Sequence, residues 1–412
     1  MTDKILVTCE CAPNIALIKY WGKLNEELII PLNGSISITL DRDVLSSKTS
    51  LILLKTNNRN IQITLNNKTQ VFNEGDLSKN SNDIINKKRF FTMLNKVRQN
   101  CILSDPFEYE IKIKSSNNFP TACGLASSAS GFAALAHCLS KAYGYKGDVS
   151  ELARLGSGSA CRSCFGGFVK WTTGENSFDS LASRLFPSNH WEEMNIIALI
   201  LEDGKKSVSS THGMKESVQT SDLLKERVKI VENERLLNME NFVREKNFDE
   251  FARLVVQDSN TFHAVCLDTY PPLFYMNDKS KEIVKFVHEY NNLDSSLKLA
   301  YSFDAGPNCF LFVLDQHLNE LLFLLRNIYF RNFDLKDKVV SNNLSKKENF
   351  INGLSYESID SERRVDLENL VKKFESDEKQ STIKYFIHSK VGSEPLIYET
   401  NDLENSLFDS EY

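Results

Sequence analysis

The sequence lacks any uncharged apolar run near the roughly 18 residues that a membrane-spanning helix needs. It also lacks an excess of positive charge, because 49 Lys and Arg residues face 55 Asp and Glu residues and leave a net charge of −6. Nucleic-acid binding usually requires a basic face. We therefore expect no membrane partner and no nucleic-acid partner, and any anionic ligand must be bound by a local group of basic residues.

Nine cysteines, an odd number, are scattered along the 412 residues, which argues against a disulfide framework. Residues 1–10 lack the features of a secretory or transit segment, and the last residues form no peroxisomal or prenylation signal. We therefore expect a cytoplasmic protein. The content of 41% hydrophobic and 25% charged residues is near the globular average and excludes collagen-like, fibrous and intrinsically disordered chains.

Strand and helix patterns are mixed in the first half of the chain. Residues 107–114 alternate apolar and charged side chains, which is typical of a half-buried antiparallel strand, and residues 36–40 and 61–65 repeat that alternation. Residues 90–97 and 132–139 instead show helical spacing. Since these patterns follow no regular βαβ order, the sequence predicts an α+β fold.

The second half is predicted to begin near the Pro187 interruption. Helical stretches are expected over 221–243 and 248–260, and a buried strand over 309–314. The domain boundaries predicted from these patterns are 1–190 and 191–412. Within the second domain, the Asn-, Ser- and Lys-rich stretch 331–361 is expected to be a surface insertion of low order.

The segment 117–131 carries the strongest local signal for a functional site. Proline, glycine, alanine and serine form a loop between a predicted strand and a predicted helix, which brings free backbone N–H groups and a positive helix end together. The alternative is an ordinary turn in which Ser127 or Ser128 caps the helix. The tandem hydroxyls beside Gly124 favour contact with a phosphate or with Mg²⁺.

Other nucleotide-binding and hydrolytic motifs are absent from the sequence. There is no G-x-x-x-x-G-K-[ST] loop, no protein-kinase signature, no H-E-x-x-H and no G-x-S-x-G. The segment 156–161 lacks the third glycine of a dinucleotide fingerprint. If the chain binds ATP, it therefore uses another loop.

Three more segments combine reactive side chains with small or aromatic neighbours. Lys19 and Lys23 flank an aromatic pair, although two lysines four residues apart are often a solvated surface. Arg162 lies among small hydroxyl residues, where a guanidinium suits carboxylate or phosphate, with a surface turn as the alternative. Asp304 precedes Gly306-Pro307, a context that also suits a simple turn. Cys161-x-x-Cys164 has no second pair at zinc spacing, so a metal or redox role is weakly supported.

In this order, the four segments resemble the GHMP kinase superfamily and, within it, the diphosphomevalonate decarboxylase family. The loop Pro120-x3-Gly124-Leu125-x-Ser127-Ser128 is similar to the superfamily's phosphate loop, and the other three segments are similar to ones specific to the decarboxylases. Residues 258–269 add a further match. The resemblance implies the GHMP kinase fold, with two α/β sub-domains and a deep active-site cleft between them.

The resemblance also implies an activity. ATP phosphorylates the tertiary hydroxyl of mevalonate 5-diphosphate, and the 3-phosphorylated intermediate loses phosphate and CO₂ to give isopentenyl diphosphate and ADP. This is a step of isoprenoid and sterol biosynthesis. The resemblance further implies ATP as co-substrate, Mg²⁺ as cofactor and a homodimer. Two alternatives stay open: a GHMP kinase that phosphorylates mevalonate or phosphomevalonate without decarboxylation, and an inactive scaffold on the same fold.

Site residues carry over from the family by position. The resemblance assigns catalytic roles to Asp304, Lys19, Arg162 and Ser127. It assigns substrate binding to Tyr20, Lys23, Arg89, Ser157, Ser159 and Arg162, with Arg89 placed by helix register alone. It assigns ATP binding to Pro120, Gly124, Leu125, Ala126, Ser127, Ser128, Lys205 and Ser207. No metal ligand is assigned with certainty, and Ser127 is the candidate contact for Mg²⁺.

Two features depart from the family pattern. At Asn33-Gly34-Ser35 many relatives have Asn-Ser-Ser, so the hydroxyl of the first serine is lost and the packing on the nucleotide side is expected to differ. The stretch 331–361 has no counterpart in that pattern and lies outside every motif.

Overall fold

The computed structural model describes residues 4–56, 59–73, 84–119, 127–202, 204, 208–330, 339–340, 359–374 and 383–408. Over these ranges the chain is a mixture of sheets and helices, as the sequence predicts. The description below is restricted to them.

The first half contains eleven of the described strands and three of the described α-helices. The strands are β1 Lys4–Cys11, β2 Asn14–Ile18, β3 Lys23–Asn25, β4 Ile30–Pro31, β5 Ser35–Thr39, β6 Ser47–Lys55, β7 Asn60–Leu65, β8 Lys68–Asn73, β9 Tyr109–Asn117, β10 Phe168–Trp171 and β11 Ala182–Phe186. The helices are α1 Ile84–Gln99, α2 Ser127–Tyr143 and α3 Val149–Gly156, with short 3₁₀ helices at Gly158–Cys164 and Ser188–Trp191.

The second half adds six described strands and seven described helices. The strands are β12 Met194–Ile200, β13 Leu299–Phe303, β14 Cys309–Leu314, β15 Val339–Val340, β16 Tyr385–Lys390 and β17 Leu396–Ile397. The helices are α4 Ser210–Thr220, α5 Asp222–Ile230, α6 Leu236–Glu245, α7 Phe248–Asp268, α8 Asp278–Asn291, α9 Asp315–Tyr329 and α10 Ser361–Lys373, with a π-helical turn at Val231–Arg235 between α5 and α6.

The described strands form three main sheets and one hairpin. The first sheet has the order β17-β1-β6-β9-β7-β8, the second β11-β10-β5-β2 and the third β13-β14-β12-β16-β15, while β3 and β4 pair with each other. Helices α1, α2 and α3 cover one face of the first sheet with a core of buried aliphatic and aromatic side chains. Strand β17 returns from the end of the chain to pair with β1, so both halves contribute to the first sheet.

A continuous apolar layer joins the second and third sheets. Ile38 of β5 and Phe168 of β10 share one buried cluster with Phe251 of α7 and Phe312 of β14. Apolar burial of this kind contributes about 25 cal/mol per Å². The layer therefore holds β2 and β5 against the helices of the second half. This packing fixes the position of the residues directly after β2. The predicted division at 190/191 stays a prediction.

The predicted elements are largely found, with three corrections. Tyr109, Ile111 and Ile113 are buried on β9 as the alternation indicates, but Phe107 lies outside the strand and is 48% exposed. The strand is also antiparallel only to β6, because β7 pairs with it in parallel. Helix α7 continues to Asp268, eight residues beyond the predicted end, because nothing in its sequence breaks the helix before Pro271.

Most of the predicted insertion lies outside the described residues. Within it, Val339 and Val340 pair in parallel with Phe386 and Ile387 of β16, and α10 begins at Ser361, where the predicted stretch ends. In the ranges that the structure describes, no helix combines the length and the apolar character needed to cross a membrane.

Candidate active site

A cavity of about 310 Å³ opens between the two halves of the chain. The first half contributes Asn14, Ala16, Lys19, Tyr20, Trp21, Lys23, Ile29, Arg89, Ser128, Ser157, Gly158, Ser159 and Arg162, and the second half contributes Ser210, Thr211, Met214, Phe262, Asp304 and Ala305. Of these described lining residues four are basic and one, Asp304, is acidic. The cavity therefore suits an anionic ligand, although the chain as a whole is acidic.

Lys19 directly follows β2, and its ammonium is buried at the cavity wall. Its Nζ donates to Oδ1 of Asp304 at 2.6 Å, with the Lys19 side chain 3% exposed and that of Asp304 30% exposed. A buried ammonium is costly without a counter-charge, and Asp304 supplies that counter-charge at the cavity wall. Lys19 is therefore not on a solvated surface, and Asp304 does more than form its turn.

The backbone of Lys19 is held by a fully buried carboxylate from α7. Asp258 Oδ2 accepts the Lys19 N–H at 2.7 Å, and the same carboxylate pairs with Arg227 and with Arg235, each at 2.8 Å. Arg227 also donates to the Lys19 carbonyl oxygen at 3.1 Å. Groups from the second half thus bind both the N–H and the carbonyl oxygen of Lys19. These contacts fix its backbone, so that its ammonium points toward Asp304.

Arg162 lies on the 3₁₀ helix Gly158–Cys164 and is buried beside the Lys19–Asp304 pair. Its Nη1 donates to Ser35 Oγ at 2.7 Å and its Nε to Asn14 Oδ1 at 3.3 Å. Burial lowers the pKa of the guanidinium, while the nearby negative charge of Asp304 raises it, and an arginine remains charged in this setting. Arg162 is therefore a fixed positive charge close to Asp304.

Tyr20 lines the same cavity as Arg162 and Arg89, and the charges of both arginines act on its phenol. Its ring packs edge-on against Trp171 with centroids 4.6 Å apart, and a Cβ at Gly158 would lie 2.9 Å from the ring, so the glycine lets the 3₁₀ helix approach it closely. Burial raises the pKa of the phenol far above its usual value. The buried phenol oxygen has no hydrogen-bond partner among the described residues and can therefore bind a ligand.

Lys23 and Arg89, together called the basic end of the cavity, also line it. Lys23 on β3 is buried, and its Nζ pairs with Glu26 Oε2 at 2.5 Å. Arg89 on α1 donates from Nη2 to Thr211 Oγ1 at 3.1 Å. Burial lowers the pKa of Arg89, whereas the charge of Glu26 raises it. Two basic side chains from separate elements thus meet at this end.

Two helix N-termini open at the cavity. Ser128 stands in the first turn of α2, and Ser210 and Thr211 stand in the first turn of α4, which Ser209 caps by accepting the His212 N–H at 3.2 Å. Unpaired N–H groups and the helix dipole favour negative charge at such ends. This wall of the cavity therefore suits phosphate groups.

The structure brings most of the predicted site residues together. Lys19, Tyr20, Lys23, Arg89, Ser128, Ser157, Ser159, Arg162 and Asp304 all line the one cavity. Pro120, Gly124, Leu125, Ala126, Lys205 and Ser207 lie outside the described residues, and so does the side chain of Ser127, whose backbone begins α2. The predicted strand and the predicted helix are found on the two sides of this segment, since β9 ends at Asn117 and α2 begins at Ser127.

Several residues of the site were missed by reasoning from the sequence. Asn14 and Ser35 bind Arg162, while Asp258 and Arg227 hold Lys19. Asn14 could have been recognised from the sequence, because it is a polar residue inside an apolar run. Arg227 carries no signal, because it follows an ordinary amphipathic helix pattern and its partners lie far away in the chain.

Gly34, which departs from the family pattern, is tightly packed. A Cβ there would lie 2.9 Å from Leu236 Cδ1 and 3.0 Å from the Trp171 carbonyl oxygen, and its N–H donates to the Glu232 carboxylate. A serine there would require the Leu236 side chain to shift and the Trp171 carbonyl oxygen to move by a few tenths of an ångström. The neighbouring Ser35 keeps its hydroxyl contact with Arg162.

Cys161 and Cys164 form no metal or redox site. Both are buried free thiols, and burial raises the pKa of Cys161 to about 12. Among the described residues there is also no group of three or more His, Cys, Asp or Glu side chains placed to hold a metal ion.

His263, on α7, is buried next to the Lys19–Asp304 pair. Burial and the positive charge of Lys19 lower its pKa to about 4, although Asp304 acts in the opposite direction. Its ring packs edge-on against Phe262 at 4.7 Å. His263 is therefore neutral at physiological pH and adds no further positive charge behind Lys19.

The lowered pKa of His263 predicts that the protein loses stability in mild acid. In the unfolded chain a histidine titrates near pH 6.5, so between pH 6.5 and pH 4 the unfolded state binds a proton that the folded state does not. The free energy of unfolding should fall by about 2 kcal/mol between pH 7 and pH 5 through this group. Urea unfolding of the protein and of His263→Gln at both pH values measures the difference. Equal losses in the two proteins would contradict it.

Family models match both halves of the chain. The mevalonate 5-diphosphate decarboxylase C-terminal domain matches residues 196–398, and the diphosphomevalonate decarboxylase-like N-terminal domain matches residues 11–182. Each model covers part of the cavity wall.

Curated relatives give the same family. The chain is 43% identical to diphosphomevalonate decarboxylase of Homo sapiens over 322 residues, which is 77% of this chain and 78% of that protein. It is 37% identical to the enzyme of that name from Danio rerio over 408 residues, covering 98% of this chain and 95% of the relative.

Solved structures agree with this result. Mevalonate diphosphate decarboxylase from Trypanosoma brucei has a TM-score of 0.85 and 33% identity, covering 98% of this chain and 100% of that one. A second neighbour, MDDEF in complex with MVAPP, AMPPCP and magnesium, has a TM-score of 0.68 and 28% identity, covering 96% and 99%. The predicted GHMP kinase fold is thereby confirmed. On the combined evidence of family models, relatives and fold, the chain belongs to the diphosphomevalonate decarboxylase family.

Proposed function

We propose that the protein catalyses the ATP-dependent decarboxylation of mevalonate 5-diphosphate to isopentenyl diphosphate, with ADP, phosphate and CO₂ as coproducts. The observation that carries the proposal is the set of charged groups that one cavity brings together. The Lys19–Asp304 pair and Arg162 line it together with Tyr20, Lys23 and Arg89. The charge of Asp304 acts on Arg162, whereas that of Glu26, the partner of Lys23, acts on Arg89. The substrate carries its hydroxyl and carboxylate at one end and its diphosphate at the other.

Asp304 is assigned to the C3 hydroxyl, which is the nucleophile of the first step. A carboxylate is too weak a base to generate a free tertiary alkoxide, so it orients the hydroxyl and takes the proton late, as the O–P bond forms. The ammonium of Lys19, 2.6 Å from the carboxylate, stabilises the negative charge on the phosphoryl group in transfer. Most of the rate enhancement in this step comes from positioning and charge neutralisation.

Phosphorylation converts a poor leaving group into a good one. When the C3–O bond breaks, phosphate leaves and C3 becomes electron-deficient. The C–C bond to the carboxylate then breaks, and its electron pair forms the new double bond as CO₂ departs. Arg162 is assigned to the substrate carboxylate, which it holds by a guanidinium that Ser35 and Asn14 fix in place. Ser157 and Ser159 line the same part of the cavity.

The 5-diphosphate is assigned to Tyr20, Lys23 and Arg89, and the ATP phosphates to the α2 end of the cavity. Ser127 and Ser128 begin that helix. Pro120, Gly124, Leu125 and Ala126, which precede it in the sequence, and Lys205 and Ser207, which precede α4, are also assigned to ATP. The hydroxyl of Ser128 is an oxygen donor of the kind that Mg²⁺ binds. Mg²⁺ neutralises negative charge on the ATP phosphates when bound.

Two alternatives are disfavoured. A GHMP kinase without decarboxylation has no need of Arg162 beside Asp304, and the relatives described above are named decarboxylases. An inactive scaffold would not need to keep Lys19, Arg162 and Asp304 in one cavity. We also propose a cytoplasmic location, supported by the free state of the eight described cysteines. The homodimer stays a prediction.

The activity is tested by incubating the protein with ATP, Mg²⁺ and either mevalonate 5-diphosphate, mevalonate 5-phosphate or mevalonate. We expect release of CO₂ and phosphate with the diphosphate, and slower or no release with the other two. Mevalonate has no phosphate group for Lys23 and Arg89, and mevalonate 5-phosphate has one fewer than the diphosphate. ADP formation from mevalonate or mevalonate 5-phosphate, with no CO₂ from any of the three substrates, would favour the kinase that does not decarboxylate.

A further inference from the structure

The β3–β4 hairpin places an acidic residue beside the basic end of the cavity. Lys23 on β3 is buried, and Glu26 follows in the turn with a side chain that is 51% exposed. The turn itself is ordered, because Asn25 Oδ1 accepts the N–H groups of Glu27 and Leu28 at 2.9 and 2.8 Å. The buried Arg154 donates to the Leu28 carbonyl oxygen. Glu26 is therefore held at the rim by a fixed backbone.

The contact between Lys23 and Glu26 is asymmetric in its exposure. Nζ and Oε2 lie 2.5 Å apart, yet the Lys23 side chain is 4% exposed while that of Glu26 is half in water. A buried ammonium needs a counter-charge, whereas a half-exposed carboxylate can rotate into solvent at small cost. The negative charge of Glu26 also acts on Tyr20 and Arg89, whose pKa values it raises. Glu26 is thus close to all three residues assigned to the diphosphate.

We propose that Glu26 competes with the phosphate groups of the substrate for Lys23. This competition lowers the affinity of this end of the cavity for anions. The inference rests on the proposed function, which assigns Lys23 and Arg89 to the 5-diphosphate. A phosphate oxygen that contacts Nζ lies near the carboxylate, and two negative groups at that separation repel each other. The half-exposed carboxylate is the group that moves.

This competition has a use in the proposed reaction, which releases inorganic phosphate. The cost of displacing Glu26 applies to every anion that binds Lys23. A diphosphate that also contacts Tyr20 and Arg89 can meet this cost, whereas a small inorganic anion with fewer contacts binds too weakly to block the site. Glu26 therefore acts through Lys23 on the affinity of this end of the cavity for anions, so that only an anion with further contacts binds at low concentration.

The test measures binding of inorganic pyrophosphate by calorimetry at low ionic strength, without turnover. Glu26→Gln should bind pyrophosphate about 2–5-fold more tightly than the unmodified protein, the range expected for removing one half-exposed ion pair. Glu27→Gln is the matched control, because it removes the same charge from an exposed neighbour in the same turn, and it should change the affinity little. In a Lys23→Met background the effect of Glu26→Gln should vanish.

The opposite result would overturn the inference. If Glu26→Gln binds pyrophosphate no more tightly than Glu27→Gln, the carboxylate only positions Lys23. In turnover, the KM for mevalonate 5-diphosphate should fall by the same factor with kcat unchanged, and a lower kcat at constant KM would also contradict it. Failure of the proposed function is seen separately, as no CO₂ release by the unmodified protein.

Discussion

Replacing Asp304 by asparagine is expected to lower kcat by about 10²–10⁴-fold, the range associated with loss of a positioned acid–base group. The carboxamide keeps the shape of the side chain but loses the negative charge that pairs with Lys19 at 2.6 Å. It also loses the site that accepts the hydroxyl proton. Because the ATP phosphates are assigned to the α2 end of the cavity, the Kd for nucleotide should change little. Steady-state kinetics and nucleotide titration measure the two quantities.

Asp278→Asn provides the control for this substitution. Asp278 begins α8, its side chain is 98% exposed, and it pairs with Lys281 on the surface, so kcat should stay unchanged. Turnover by Asp304→Asn at the rate of the unmodified protein would remove Asp304 from the mechanism.

Replacing Asp258 by alanine is expected to lower the free energy of unfolding by about 3–5 kcal/mol, as breaking a buried ion pair does. Arg227, whose side chain is fully buried, would lose its carboxylate partner, Arg235 would lose the same one, and the Lys19 N–H would lose its acceptor. Activity should fall as well, because Lys19 would no longer be fixed. Urea unfolding measures the loss.

Arg253→Ala is the matched control on the same helix. Arg253 pairs with Asp249 across one turn of α7, with 53% of its side chain exposed, and exposed pairs contribute about 0–1 kcal/mol. A similar loss of stability in the two variants would mean that the buried network does not hold the two halves of the site together.

Local patterns in the sequence predicted the elements well where one face of an element is buried. The alternation of Tyr109, Ile111 and Ile113 indicates the buried face of β9, and all three are buried. Phe107 fits the same alternation but lies exposed, because the strand begins only at Tyr109. Alternation shows which residues share a face, but it does not show where pairing with a neighbouring strand ends.

The site could be predicted only in part, because its contacts join residues that are distant in the chain. Lys19 and Asp304 are separated by 285 positions, and Lys19 and Asp258 by 239. No periodicity connects such residues, so the first pair was predicted from a family resemblance and the second was missed. Similarly, the net charge of −6 describes the whole chain and conceals the four basic side chains that meet in the cavity.

The stoichiometry of CO₂ to ADP tests the central claim most directly. The claim is that one cavity places the C3 hydroxyl against Asp304 and the carboxylate against Arg162, so that each phosphorylation leads to one decarboxylation. With mevalonate 5-diphosphate, ATP and Mg²⁺, the account predicts equal amounts of CO₂, phosphate and ADP throughout the time course. ADP that accumulates from this substrate with no CO₂ would contradict it.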